Sequence, residues 1–141
     1  MTVGELFDHA KLSSRGPVQW ETEISESCAG VYVVALTQEV NIRFECPDYL
    51  KEHEQRRWLP NEPIVYIGQT TDQTLARRIR QFYRHTYGNK SPHRGGQAIK
   101  LLRCDLWLYW SPAPKPKESE RIMLNAFIEK IGHLPFANRR R

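Results

Sequence analysis

Four side chains capable of acid, base or phosphate chemistry stand where the hydrophobic pattern of this 141-residue chain calls for apolar ones. Tyr32 and Tyr66 lie in the middle of apolar, β-branched runs, and each phenol needs a hydrogen-bond partner once it is buried. Arg78 sits about 60° from Leu75 on a helical wheel and leans toward the core, whereas Arg77, Arg80 and Arg84 cluster on the opposite side. A guanidinium in that place needs an anion or a carboxylate beside it, because burying it alone is costly. Glu120 falls inside the arc set by Leu124, Phe127, Ile128 and Ile131, while Glu118 and Glu129 point more than about 100° away. An inward carboxylate can hold a metal through oxygen, pair with an inward arginine, or complement the start of its helix. Inward tyrosines and an inward arginine can equally serve packing and a structural ion pair.

The elements that position these groups follow from local pattern. Cys28 to Leu36 and Pro63 to Gly68 read as buried central strands, and Asp105 to Trp110 as a third strand stopped by the proline-rich SPAPKPK. A helix is expected over Thr74 to Tyr87, with Leu75, Ile79, Phe82 and Thr86 on one stripe and Gly88 and Asn89 as its stop. The last helix should begin near Lys117 to Ser119 and end at Gly132. Pro47 to Leu59 and Gln97 to Leu102 are weaker helical candidates. Helices segregated from strands argue for an α+β fold around a small antiparallel sheet of about three strands, in one domain over residues 1–141.

Composition narrows the setting. With 40% hydrophobic and 26% charged residues the chain should bury a core, and no apolar run reaches the roughly 20 residues that cross a bilayer. Cys28, Cys46 and Cys104 lack disulfide or zinc spacing, and the histidines are scattered, so a reducing, cytoplasmic setting without a Cys/His metal site is expected. The net charge of +5 conceals an asymmetry: residues 1–70 hold 6 Lys/Arg against 11 Asp/Glu, and residues 71–141 hold 15 against 5. A basic half of this kind suits a phosphate-rich partner, and a well-solvated basic surface would look the same.

Taken in order, Gly30-Val31-Tyr32, Tyr66-Ile67-Gly68, Leu75-x-x-Arg78-Ile79, a helical Glu120 and Pro135-x-x-Asn138 form a pattern that resembles the GIY-YIG nuclease family, with valine in place of the usual isoleucine in the first tripeptide. The resemblance spans residues 30–138. It implies sheet and helices as above and a divalent-metal-dependent phosphodiesterase acting on nucleic acid, with DNA expected over RNA and Mg²⁺ or Mn²⁺ as cofactor. By the same resemblance Tyr32 and Tyr66 would lie beside the scissile phosphate and the attacking water, with Tyr32 the better general base. Arg78 would contact the phosphate, Glu120 would hold the metal with Glu118 in reserve, and Asn138 would brace the site.

The chain departs from the family pattern at Phe82, in the spacing of the two tyrosines, and in a Glu120–Asn138 spacing longer than in many relatives. Where the family carries His or Tyr one turn after the arginine, this chain has Phe82, for which His85 or Tyr83 could substitute. The two tyrosines are 34 positions apart, separated by an insert from about Thr37 to Asn61 that is expected to pack on the sheet or to serve substrate recognition. Arg77, Arg80, Arg84, Lys90, Arg94, Arg139 and Arg140 are the expected nucleic-acid contacts, Lys90 and Arg94 in the glycine-containing loop Gly88 to Gln97. The alternatives are a nucleic-acid-binding module that has lost catalysis, and a nuclease subunit that depends on a protein partner or a second copy for recognition.

Overall fold

A computed structural model describes residues 1–38, 42–88 and 96–139; Lys90, Arg94 and Arg140 lie outside the described residues. The elements run α1 (Val3–His9), β1 (Arg15–Gln19), β2 (Gly30–Ala35), α2 (Glu52–Gln55), β3 (Ile64–Thr70), α3 (Leu75–Arg84), a 3₁₀ turn (Gln97–Leu101), β4 (Trp107–Pro112) and α4 (Pro116–Ile131). The class is α+β. The sheet has four strands and not three, in the order β1-β4-β2-β3, and every neighbouring pair is antiparallel. The additional strand, β1, is a half-exposed edge carrying Gly16 and Pro17, residues that depress any strand signal and are tolerated only at an edge.

All six residues of β2 are buried, because the strand is covered on both faces. On one face Val31 and Val33 join Ile64 and Ile67 of β3 under Leu6 and Phe7 of α1 and Met123, Leu124 and Phe127 of α4. On the other, Tyr32, Val34 and Tyr66 pack with Leu75, Ile79 and Phe82 of α3 and Ile99 of the 3₁₀ turn. Fully burying each aliphatic side chain contributes roughly 1.5–3 kcal/mol. The β2–β3 register shifts between Val34 and Ala35, where Ala35 faces Ile64 and Val34 faces Tyr66. This irregularity lets Val65 and Tyr66 both join the core on the α3 side, the kind of re-aiming for which strand bulges are used.

Helix ends follow their capping residues. Thr74 caps α3 by accepting the Arg77 N–H, Pro116 opens α4 in its first turn, and Gly132 closes α4 at φ 86°. The α1 helix starts on a capping box in which Thr2 and Glu5 satisfy each other's backbone N–H groups. Among its described residues the insert holds much less helix than the Pro47 to Leu59 pattern suggests, only α2. Its remaining turns are set by Gln55 Nε2 donating to the Leu50 carbonyl (2.7 Å) and Trp58 Nε1 donating to the Phe44 carbonyl (2.9 Å). Leu50 and Trp58 enter the core on the α3 side, so the insert does pack against the body of the fold.

The β3 strand, expected to be central, is instead the far edge of the sheet. Its outward backbone groups are covered by the C-terminal segment: Ala137 N–H donates to the Val65 carbonyl (2.8 Å), the Ile67 N–H donates to Asn138 Oδ1 (3.0 Å) and Asn138 Nδ2 donates to the Ile67 carbonyl (2.9 Å). The Asn138 side chain thus does the work of one more strand residue. Arg139 fixes this segment by donating to both carboxylate oxygens of the buried Glu54 (2.7 and 2.6 Å) and to the Phe136 carbonyl (2.9 Å). Replacing Asn138 by Ala would strand two buried backbone groups of Ile67, so it should cost about 2 kcal/mol or more, read as a lower midpoint in urea unfolding.

Candidate functional site

Four distant segments deliver the four anomalous side chains to one cluster. Tyr32 comes from the middle of β2, where it faces Gly68 across the β2–β3 ladder, and Tyr66 comes from β3, their ring centroids 6.0 Å apart. Arg78 comes from the second turn of α3 and Glu120 from the early part of α4, one turn before the buried Met123 and Leu124. The two phenols are buried, whereas Arg78 and Glu120 are half-buried, so the cluster meets solvent through its guanidinium and its carboxylate.

Glycines make room for the rings. A Cβ on Gly68 would come within 2.6 Å of Tyr32 Cζ and 2.7 Å of Tyr66 Cε2, so only glycine lets the two rings lie across it. Gly96, in the left-handed region at φ 73°, presses as closely on the other part of the Tyr66 ring, with an added Cβ 2.5 Å from Cε1 and Cζ. In the sequence Gly96 is only one residue of the glycine-containing loop Gly88 to Gln97; the glycine pair at 95–96 is the one local signal that something bulky comes close there. Asn138 acts one residue from Tyr66, through the backbone of Ile67.

The electrostatics centre on the Tyr32 oxygen. Burial pushes Tyr32 up to about 12 in spite of the Arg78 guanidinium, which pulls it down by charge and by donating a hydrogen bond; the Glu120 carboxylate raises it, and a bond from the Tyr66 hydroxyl lowers it. Tyr66 is held well above the ordinary phenol value, first by burial and then by the neighbouring Tyr32 and Glu120 charges. Of the two, Tyr32 is therefore the phenol whose ionised form its neighbours support. Burial alone raises the Glu120 carboxyl to about 7, and among the described residues no cation or hydrogen-bond donor is paired with it.

Phe82 and the two candidates for the proton-transferring role, Tyr83 and His85, lie in the last turn of α3 and at its end. Phe82 is fully buried, edge-on to both phenols at 6.2 and 5.6 Å, and forms an apolar wall. The Tyr83 hydroxyl donates to the Thr22 carbonyl (2.7 Å) and its ring packs on Trp20, away from the cluster. The α3 helix ends at Arg84 and the backbone is extended at His85 (φ −66°, ψ 136°), so the helical spacing that aligned His85 with Arg78 does not extend to it; His85 is buried at the helix end. A cation that sequence reasoning did not single out, Lys100, stands 5.8 Å from the Phe82 ring centre and donates to the Tyr83 carbonyl, its pKa lowered by burial.

The remaining expectations divide. Glu118, the reserve ligand, is exposed beside Lys115 (3.9 Å). Arg77 and Arg84 are exposed on α3, as expected; Arg80 is exposed too, 3.5 Å from the exposed Glu23, whereas Arg139 is committed to the buried Glu54. Among the described residues no group of three His, Cys, Asp or Glu side chains converges. A single oxygen donor with an unneutralised charge nevertheless suits Mg²⁺ or Mn²⁺, which keep most of their ligands as water or substrate oxygen. The three cysteines are free, and among the described residues no helix is long and apolar enough to cross a membrane.

Comparison with protein-family models, with curated proteins and with solved structures gives no match to this chain.

The raised Glu120 carboxyl has a testable sign. Because its folded value lies above its unfolded one, its contribution to stability is fully present below about pH 4 and is lost as pH rises through about 7. Glu120→Gln should therefore unfold at higher temperature than wild type at pH 8, by about 1–2 kcal/mol once partial solvent access is allowed for, and not at pH 4. Mg²⁺ added at pH 8 should raise the wild-type melting temperature and leave Glu120→Gln unmoved.

Proposed function

We propose that this protein is a metal-dependent endonuclease of the GIY-YIG type that hydrolyses phosphodiester bonds in DNA. The observation that carries the reading is the convergence of Tyr32, Tyr66, Arg78 and Glu120, residues from four separate elements, into one electrostatically coupled, half-open cluster. Structural ion pairing alone would join Arg78 to Glu120; instead the guanidinium is directed to a phenol oxygen, and among the described residues no cation is paired with the carboxylate.

In this reading Arg78 presents a planar fork of donors to the phosphate oxygens and so orients the phosphorus and offsets its growing charge. Tyr32, whose oxygen already accepts from Arg78 and Tyr66, takes the proton of the attacking water as phenolate, once its own proton has been lost to solvent. Tyr66 holds the Tyr32 oxygen in place, and Asn138, through Ile67, holds the strand that carries Tyr66. With a value of about 12, Tyr32 is protonated at neutral pH, so the role needs added positive charge. Glu120 would hold the Mg²⁺ or Mn²⁺, which when bound supplies that charge, a more acidic water and neutralisation of the phosphate.

Phe82 favours one second reading, a nucleic-acid-binding module with impaired catalysis, because no proton-transferring side chain stands at its position. The two readings separate on supercoiled, linear, branched and single-stranded DNA incubated with Mg²⁺ or with EDTA. The nuclease reading expects Mg²⁺-dependent cleavage of at least one substrate, with Arg78→Ala and Glu120→Ala reducing the rate by about 10²-fold or more while leaving the circular dichroism spectrum intact. Full activity in Glu120→Ala would remove the metal assignment, and no cleavage of any substrate would leave the binding module.

A further inference from the structure

A second cleft, lined by none of the four clustered residues, lies between the insert and the segment leading into β4. Tyr49, Lys51, His53, Tyr87 and Arg103 line it, and its volume is about 120 Å³. Among the described residues, two of the four exposed large hydrophobic side chains stand at this one place, Tyr49 at 36% and Tyr87 at 45% exposure. Aromatic rings left in water at a shared cleft are surfaces with an unfilled contact.

One of the rings is fixed in advance. The Arg103 guanidinium stacks 4.3 Å from the Tyr49 ring centre, and the Arg103 N–H donates to the Tyr49 hydroxyl (2.9 Å). Glu54 also lines the cleft, but its carboxylate is buried and held by Arg139, so the open charge of the lining is that of the exposed Lys51 and Arg103 and is positive. A cavity of about 120 Å³ is well below the roughly 300 Å³ at which pockets begin to enclose a whole small molecule. It suits one planar group of a longer, anionic ligand.

We propose that this cleft is a stacking subsite for one unpaired nucleobase of a DNA strand, with Lys51 and Arg103 against the flanking phosphates; the choice of DNA rests on the nuclease reading above. Base stacking on Tyr49 and Tyr87 needs a strand that is locally unpaired, because a paired base presents only its edge. The insert thereby gains a task in substrate choice, favouring DNA with a frayed, branched or single-stranded part. Its buried Glu54 ties the same insert, through Arg139, to the segment that carries Asn138.

The test is fluorescence anisotropy of a labelled single strand of about 15 nucleotides, and of its duplex, with the full chain in EDTA so that nothing is cleaved. Tyr87→Ala and Tyr49→Ala should each weaken single-strand binding by about 5- to 100-fold and hardly change duplex binding. Tyr49→Ala also removes the bond to Arg103, so Tyr87→Ala, with its melting temperature checked, is the deciding variant. Unchanged single-strand binding by a folded Tyr87→Ala overturns the subsite, as do equal losses on single strand and duplex, or no binding by wild type. Tyr87-dependent single-strand binding in a protein that cleaves none of the DNA substrates would uphold the subsite and remove the nuclease reading.

Discussion

The Tyr32 oxygen is the point on which the structure turns. A phenol at the centre of a strand with both faces covered can stay there only if its hydroxyl is satisfied, and here it is satisfied by Arg78 and Tyr66. That one requirement fixes the direction in which α3 presents Arg78 and the register in which β3 presents Tyr66. It also fixes Gly68, since any side chain there would take the space of both rings. The polar network thus follows from burying two tyrosines together, and it leaves the Glu120 carboxylate as the member whose charge no cation among the described residues answers.

The edge of the sheet depends on that arrangement and supports it in turn. Tyr66 lies on the outermost strand, where an unpaired backbone would leave the ring poorly held. Asn138 supplies the missing donor and acceptor beside Tyr66, Ala137 bonds one residue before it, and the Glu54–Arg139 pair secures the segment to the insert. A pair in which Arg139 Nη2 bridges both oxygens of one buried carboxylate resists displacement better than an exposed ion pair would, because releasing Arg139 would deprive the buried Glu54 of that partner. The insert is therefore joined to the geometry around Tyr66 and is not an appendage.

Most of the core was legible in the sequence. The β2, β3 and β4 strands and the α3 and α4 helices announce themselves by apolar run or stripe and by Thr74, Pro116 and Gly132 at their ends. Tyr32, Tyr66, Arg78 and Glu120 were legible as violations of that same periodicity. What was not legible depends on contacts distant in sequence. The β1 strand exists because β4 offers it an edge, despite Gly16 and Pro17, and α1 is too short for a stripe although its Thr2-x-x-Glu5 capping box was readable. Nothing local says that Gly96 will meet Tyr66, that Lys100 will reach the Phe82 ring, or that α3 will stop short of His85.

Charge is where summing along the chain misleads most. The acidic and basic halves suggest a broad positive face, yet the fold spends several of those charges on one another: Glu23 lies beside Arg80, Glu26 beside Arg15, and Glu54 is closed onto Arg139. The first two pairs are exposed enough for solvent and salt to weaken them, whereas the buried Glu54 carboxylate holds Arg139 firmly. Arg77 and Arg84 remain open along α3, and Lys51 and Arg103 remain open at the tyrosine-lined cleft. Lys117 and Arg121 are likewise exposed on α4, so the exposed positive charge is spread over several places, and pairing within the fold, not the sum along the chain, decides which of them an anion can meet.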